Sequence, residues 1–338
     1  MLRDHMAKPR PAPDLARIQR LRELFLDDRR VSGALPDYWR DRKDLLAYDA
    51  VLGARIGWKW DAALDECAER GFARADGDVV FDYGCGAGIA ARRFVARFGG
   101  KQVLLHDRSA HARNFAVERL AAEAPDVPAR ATTNVQDAAP DVLLVSHVLG
   151  ELDDDGEREL RALIDRSRRV VIVEPGNRAT SRRLSELRDA LLVRTADDEE
   201  RRRLRCVAPC PHAGACPSLF DKKDWCHFFA TPPPEVFTDG WWVKTALELE
   251  IDVRSLPYAF LALARGPRSA DEANAAPPER ALGRAELTPH VAKLRVCRDG
   301  ELSALEITKR REANLWRALK KRPEQARQLL ADREPPTS

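Results

Sequence analysis

Of seven cysteines in 338 residues, five lie beyond residue 200: Cys206, Cys210, Cys216, Cys226 and Cys297. Three of them form a tight run, Cys210-x5-Cys216-x9-Cys226. Thiolates this dense, outside a secreted disulfide framework, point to metal ligation rather than inert packing. The gaps are longer than the paired Cys-x2-4-Cys knuckles of structural zinc sites. Proline follows both Cys210 and Cys216, a pairing common at iron–sulfur ligands. A cubane cluster takes four thiolates, and two candidates stand for the fourth: Cys206 nearby, or Cys297 far down the chain. His212 and His227 are alternatives that would suit zinc. Cys67 and Cys85 fit a helix and a glycine-rich loop and are left out.

A second constellation is Asp82-Tyr83-Gly84-Cys85-Gly86-Ala87-Gly88. The apolar run 79–82 before it reads as a strand, and 89–98 after it as a helix. Glycine permits backbone dihedrals closed to other residues and removes the Cβ that would block a ligand. The next strand ends at His106-Asp107, where an acidic side chain can accept hydrogen bonds from ribose hydroxyls. A dinucleotide site wants Gly-x-Gly-x-x-Gly; here the third glycine comes one step early. More than one cofactor class shares this logic. The acceptor side is less legible. Ser146 to Leu152 lacks the Asn/Asp-Pro-Pro-aromatic run of amino methyltransferases, and Pro209-Cys210 only superficially suits a cysteine nucleophile. His147, Glu151 and Glu174 could act as general bases, although each reads equally as a capping or packing residue.

These loops need a scaffold, and the hydrophobic pattern supplies one. Leu15, Ile18, Leu21, Leu24 and Phe25 recur at helical spacing, and a second helical stretch spans roughly 41–70. From residue 78 strands near 79–82, 103–105, 142–145 and 170–173 alternate with helices near 89–98, 110–122 and 156–166, the signature of a parallel sheet covered on both faces. Residues 257–264 read as a late strand returning to that sheet. Residues 266–280 read as an exposed connection. Asp299-Gly300 between two partly apolar runs, 291–296 and 302–307, is a hairpin signal. The expected division is an N-terminal helical region (1–76, opening on a loose arm over 1–13), an α/β domain (77–265) with a Cys-rich insertion (205–230), a C-terminal hairpin and basic helix (281–330), and a disordered tail (331–338).

Composition narrows the class. Lysine and arginine number 57 against 54 acidic residues, a formal charge of +3, and a third of the residues are charged, which excludes collagen-like or low-complexity chains. No apolar run approaches the ~18 residues a membrane helix needs, and the first thirty residues lack a signal-peptide pattern. The expectation is a cytoplasmic protein without membrane association. Arg182, Arg183 and 201–205 precede the cysteines; Lys309, Arg310, Arg311, Arg317, Lys320, Lys321 and Arg322 follow the hairpin. Such clusters bind phosphates by releasing counterions or simply form solvated faces. Trp225, Phe228, Trp241 and Trp242 could stack on unpaired bases, but core packing is the plainer reading.

Two resemblances sharpen this. The form Asp-x-Gly-x-Gly-x-Gly resembles the first motif of class I methyltransferases, in which the loop cradles S-adenosylmethionine and the second acidic residue holds its ribose; that resemblance implies Asp82, Gly84, Gly86, Gly88 and Asp107 at the cofactor. That loop also occurs here with Glu174-Pro175-Gly176, with Ala-Pro-Cys-Pro-His-x3-Cys-Pro ending at Pro217, with Trp225-Cys226-His227-Phe228, and with Cys297-Arg-Asp-Gly-x-Leu followed by basic residues. Together they resemble the ribosomal small-subunit methyltransferase-like family of bacteria and mitochondria, over residues 40–320. The resemblance implies a class I, Rossmann-like methyltransferase sheet with an inserted 4Fe-4S cluster, ligated by Cys210, Cys216, Cys226 and Cys297, with Cys206 an extra thiol. It implies association with the small ribosomal subunit or its precursor, through rRNA, as a methyltransferase or as an assembly factor that lost catalysis. A zinc-stabilised methyltransferase of small molecules is the remaining alternative.

Overall fold

The computed structural model describes residues 11–26, 37–196, 199, 202–210, 212–267 and 279–331. Residues 1–10 of the expected arm, Arg201, 268–278 of the expected connection and 332–338 of the expected tail lie outside these.

The N-terminal quarter is helical, as its periodicity requires. Helix α1 (Leu15–Leu26) buries Ile18 and Leu21 completely. Helix α2 (Arg42–Tyr48) starts where the Asp41 carboxylate accepts the Asp44 N–H, the usual remedy for unsatisfied first-turn donors. A π turn over Asp49–Gly53 joins it to α3 (Ala54–Glu69). Trp60, Ala63, Leu64 and Cys67, spaced three and four apart, bury one face of α3 against the sheet.

The central sheet is built from β1 (Val79–Tyr83), β2 (Gln102–His106), β3 (Ala129–Thr132), β4 (Val142–Ser146), β5 (Arg169–Pro175), β6 (Leu204–Ala208), β7 (Phe228–Phe229) and β8 (Pro257–Arg265). Its order is β3-β2-β1-β4-β5-β8-β6, with β7 paired to β8. The first five strands run parallel; β8 enters antiparallel between β5 and β6. Helices α4 (Ile89–Phe98), α5 (Ala110–Glu123), α6 (Asp154–Arg166) and α7 (Arg178–Arg194) make the crossovers. This is the class I methyltransferase sheet expected from the sequence. Strand order reverses between β1 and β4, and ligands of open α/β sheets bind outside the carboxyl ends of strands at such a point. Strands β3, β6 and β7 were not foreseen. Strands β3 and β7 have four and two residues, and Ala129–Thr132 lacks a fully buried one, so neither shows an apolar run; β6 lies among the arginines and cysteines that open the insertion.

Beyond β7, α8 (Glu235–Thr238) and α9 (Gly240–Glu248) pack Val236 and Trp242 against Ile18 and Val51. The C-terminal part contains the expected hairpin and adds a strand to it. It is a three-stranded antiparallel sheet, β9 (Arg280–Leu287), β10 (Val291–Arg298) and β11 (Glu301–Thr308). Asp299 and Gly300 do turn β10 into β11, both at positive φ, +47° and +86°, as the twist-matched two-residue turn demands. The added strand begins at Arg280, which was expected in an exposed connection and is 3 % exposed. Helices α10 (Ala313–Lys321) and α11 (Ala326–Ala331) close over this sheet through Trp316, Leu319 and Leu330.

Candidate functional site

The glycine loop follows β1 at the point where strand order reverses, and its glycines do different work. Gly84 and Gly88 have φ of +69° and +73°; a Cβ on Gly84 would sit 2.6 Å from Val148 Cγ2, and one on Gly88 2.9 Å from Ala116 Cβ. Both are needed for packing. At Gly86, φ is +50° and the nearest atom to a Cβ is Trp39 Cζ2 at 4.0 Å, so this glycine leaves open space above the loop. Asp107, at the end of β2, faces it: one carboxylate oxygen accepts the Gly86 N–H and the other the Ser109 N–H, both at 2.9 Å. Burial pushes the Asp107 carboxyl up against those two donors. Asp82 lies underneath, fully buried, accepting the Ala91 N–H at 3.2 Å with its other oxygen unpartnered. Burial raises its pKa to about 7. The arrangement suits S-adenosylmethionine: a bared backbone for the amino-acid part, a second-strand carboxylate for the ribose.

Two residues that carry no motif, Tyr38 and Trp39, stand beside the loop. Tyr38 donates its hydroxyl to Glu151 at 3.5 Å, and the Arg108 guanidinium lies 5.6 Å from its ring. Trp39 beside it is 5 % exposed. A Tyr-Trp pair ahead of a helix carries no motif, so nothing local marked them.

At the ends of β4 and β5, Glu174 is wholly buried and caps the next turn, its Oε1 accepting the N–H groups of Val148 and Leu149 at 2.9 and 3.1 Å. Its Oε2 has no partner, and burial raises its pKa to about 8. His147 holds φ at +56°, a conformation uncommon outside glycine. Its Nε2 is buried and unpartnered, and burial, reinforced by Lys59, holds the ring neutral. Burial lowers the Lys59 amine to about 7. The structure thus assigns Glu174 a capping role while leaving it one free oxygen. Glu151 instead meets Tyr38.

The second constellation converges. Cys210, Cys216, Cys226 and Cys297 all line one pocket, together with His212, Ser218 and Arg280. Cys297 arrives on β10 with Sγ 3.7 Å from His212 Nε2. Two arginines of α7 hold the insertion in place. Arg182 donates to the carbonyls of Ser218, Leu219, Asp221 and Asp224. Arg188 donates to those of His212 and Gly214 at 2.7 and 2.8 Å and pairs with Asp189, whose other oxygen accepts the Cys216 N–H. Irregular backbone needs such partners when buried. Arg182 is therefore committed to the insertion, and Arg183, paired with Glu157 and the Leu149 carbonyl, to the β4 loop; neither serves as the phosphate contact that their sequence clustering suggested.

Burial raises the thiols of Cys226 and Cys297, the latter to about 11, and neighbouring thiols add to both shifts. Cys206 is a neighbour of Cys210, and the hydrogen bond between them lowers Cys206 and raises Cys210. Cys206 does not line the pocket, and neither does His227, which stacks on Trp225 at 4.7 Å and packs on Gly283 of β9. Among the described residues no three His, Cys, Asp or Glu side chains close around a point that one metal ion would occupy.

A family model described as mitochondrial small ribosomal subunit Rsm22 matches residues 46–323. No curated protein matches the chain. Among solved structures, it is similar to the plantazolicin methyltransferase BpumL in complex with SAH, at 14% identity over 74% of this chain and 96% of that one, with a TM-score of 0.39. Magnesium protoporphyrin IX methyltransferase from Synechocystis PCC 6803 is similar at 13% identity, over 74% and 93% of the two chains, with a TM-score of 0.37. For an rRNA methylase from Streptococcus thermophilus the values are 12%, 61%, 95% and 0.33.

Proposed function

This chain belongs to the Rsm22 family of mitochondrial small ribosomal subunit proteins, and from that premise we propose that it binds S-adenosylmethionine and a 4Fe-4S cluster while acting on the small ribosomal subunit or its precursor. The observation that carries the reading is the convergence of three insertion cysteines with Cys297 of the C-terminal sheet on a single pocket. The cluster then pins the insertion to that sheet. What supports a cluster is the donor set: four thiols share the pocket's wall, the number a cubane takes.

Gly84, Gly86, Gly88 and Asp107 would hold S-adenosylmethionine, with Asp82 bracing the loop from below. The bound cofactor supplies an electrophilic methyl group; the chain contributes the cradle, the Tyr38–Trp39 pair beside it and the buried polar ends of β4 and β5. For rRNA, Lys309, Arg310, Arg311, Arg317, Lys320, Lys321 and Arg322 all stand exposed on the C-terminal part, a basic face of the kind that draws in phosphates. Among the described residues no helix is long and apolar enough to cross a membrane. The compartment is that of the subunit served: the cytoplasm in a bacterium, the mitochondrion for the family as its description runs.

The test is anaerobic purification of the full chain, followed by iron, sulfide and zinc analysis, calorimetry with S-adenosylmethionine, and sedimentation with small-subunit precursors at low salt. Expected are iron and sulfide in equal amounts, saturable cofactor binding lost in Asp107→Ala, and co-sedimentation. A colourless protein with one zinc per chain rejects the cluster; absence from the particles rejects the ribosomal role. Labelled methyl transfer to the particle then separates an active enzyme from an assembly factor.

A further inference from the structure

The pocket that gathers the thiols also contains a guanidinium. Arg280 lines it, is 3 % exposed, and stacks 4.2 Å from the Phe228 ring centroid. Its two terminal nitrogens pair with the two carboxylate oxygens of Glu66 on α3. Its Nε–H is buried and has no partner. A buried donor without an acceptor is unfavourable, so an acceptor belongs there.

The charge count points the same way. Glu66, 2 % exposed, also takes Arg70 at 3.3 Å and Arg327 at 3.1 Å. Three guanidiniums share one carboxylate, which leaves this layer two positive charges in excess. Buried cations need anions nearby. Arg280 and Cys226 interact electrostatically, and so do Arg280 and Cys297, and Arg70 with Cys210. Four thiolates around an oxidised cubane carry a net charge of about −2, and hydrogen bonds and net charge at the sulfurs set the potential of such clusters.

Building on the cluster reading above, we propose that Arg280 is the cluster's internal counter-ion: its Nε–H donates to a cluster or cysteinyl sulfur while Glu66 fixes its orientation. The guanidinium then favours the more negatively charged, reduced state and holds the cluster's midpoint potential up. Arg280 is a positioning residue here, not a ligand, and its loss changes the cluster's properties without removing a thiolate.

The test uses the full chain, wild type, Arg280→Met and Arg280→Lys, each reconstituted anaerobically with ferrous iron and sulfide. Midpoint potential is read by redox titration with electron paramagnetic resonance, and cluster loss by the decay of visible absorbance under an iron chelator. Far-UV circular dichroism checks folding. Expected for Arg280→Met is a lower potential and at least threefold faster loss, with iron content after reconstitution retained. Arg280→Lys, which keeps a cation beside Glu66 but lacks the Nε donor, falls between. Unchanged potential and decay in a folded Arg280→Met overturn the proposal and leave Arg280 only an ion-pair partner of Glu66. If Arg280→Met does not fold, Arg280→Lys decides by the same two readouts. Wild type that takes up no iron and sulfide is a different failure: it removes the cluster reading and this proposal with it.

Discussion

Arg280 and Cys297 are direct cross-strand partners on β9 and β10, so a buried cation and a thiol reach the pocket from one rung of one ladder. The rung makes the C-terminal sheet part of the cysteine site. Elsewhere on the seam the Gly283 N–H donates to the His227 carbonyl at 2.8 Å, the Arg284 guanidinium lies 5.0 Å from the Phe229 ring centroid, and Arg295 of β10 pairs with Asp224 of the insertion.

Cysteine replacement separates ligand from bystander. Cys297→Ser is expected to lose most of the iron and sulfide of the purified protein, because its thiol lines the pocket. Cys206→Ser is expected to keep both, since that thiol bonds to Cys210 from outside. Iron and sulfide assays on the two variants check this; equal loss from both would make Cys206 a fourth-ligand candidate again.

Glu66 tests the layer behind the pocket. Removing one member of a buried ion pair strands the other, at about 3–5 kcal/mol. Glu66→Gln leaves Arg70, Arg280 and Arg327 without their shared anion. Urea unfolding of Glu66→Gln should show a loss in that range. A change below about 1 kcal/mol, the range of exposed pairs, would mean the three cations find other partners.

What could be read in the chain was what repeats locally. Helix α4 was bounded correctly at Ile89 and Phe98 because a glycine stands at each end. Strands β1, β2, β4 and β5 announced themselves as apolar runs between turn residues, since parallel strands are buried on both faces. Arg280 was misplaced for the opposite reason. It follows a Pro- and Ala-rich stretch, and its partner Glu66 is 214 residues away; no window of sequence contains both. The same holds for Arg182 and Arg188. Arg182 clusters with Arg183 as a phosphate-binding patch would, and only the folded insertion reveals that carbonyls occupy the donors of Arg182, as they do those of Arg188. The cysteines were legible as a group by density, but their meeting with Cys297 depends on where β10 lands.

The glycine loop predicts a split between fold and ligand. Gly88→Ala meets Ala116 Cβ at 2.9 Å with φ at +73°. Left-handed strain of ~1–2 kcal/mol adds to overpacking of ~1–3 kcal/mol, so its melting temperature should fall clearly. Gly86→Ala has the strain but open space around the new methyl. It should melt below the wild type by the strain alone, and so less far than Gly88→Ala, and bind S-adenosylmethionine at least ~10-fold more weakly, about 1.4 kcal/mol, because the methyl fills the cradle. Calorimetry and thermal melts on both variants decide. Wild-type affinity in a folded Gly86→Ala would move the cofactor away from this loop.

Glu174 gives a pH signature whose sign is set by burial. Its carboxyl is raised to about 8 in the fold, against ~4.3 for a free glutamate. Between those values the folded chain keeps a proton that the unfolded chain has released. Stability from this group is therefore complete below about pH 4.3 and declines as pH rises toward 8, by at most ~1.4 kcal/mol per pH unit; above 8 it is flat. The charged groups acting on it are Glu151, which raises it, and Arg183, which lowers it. It in turn acts on Lys59. Glu174→Gln keeps an oxygen for the Val148 and Leu149 N–H groups and cannot ionise, so it lacks the decline. Asp82, raised to about 7, titrates in both proteins and cancels in the difference. Lys59, lowered to about 7, gains stability for the fold mainly above pH 7, so the clean window is pH 5–7. Urea unfolding across that window should show Glu174→Gln growing steadily more stable relative to wild type. A difference that stays constant from pH 5 to 7 would mean Glu174 is ionised in the folded protein, with its free oxygen paired after all.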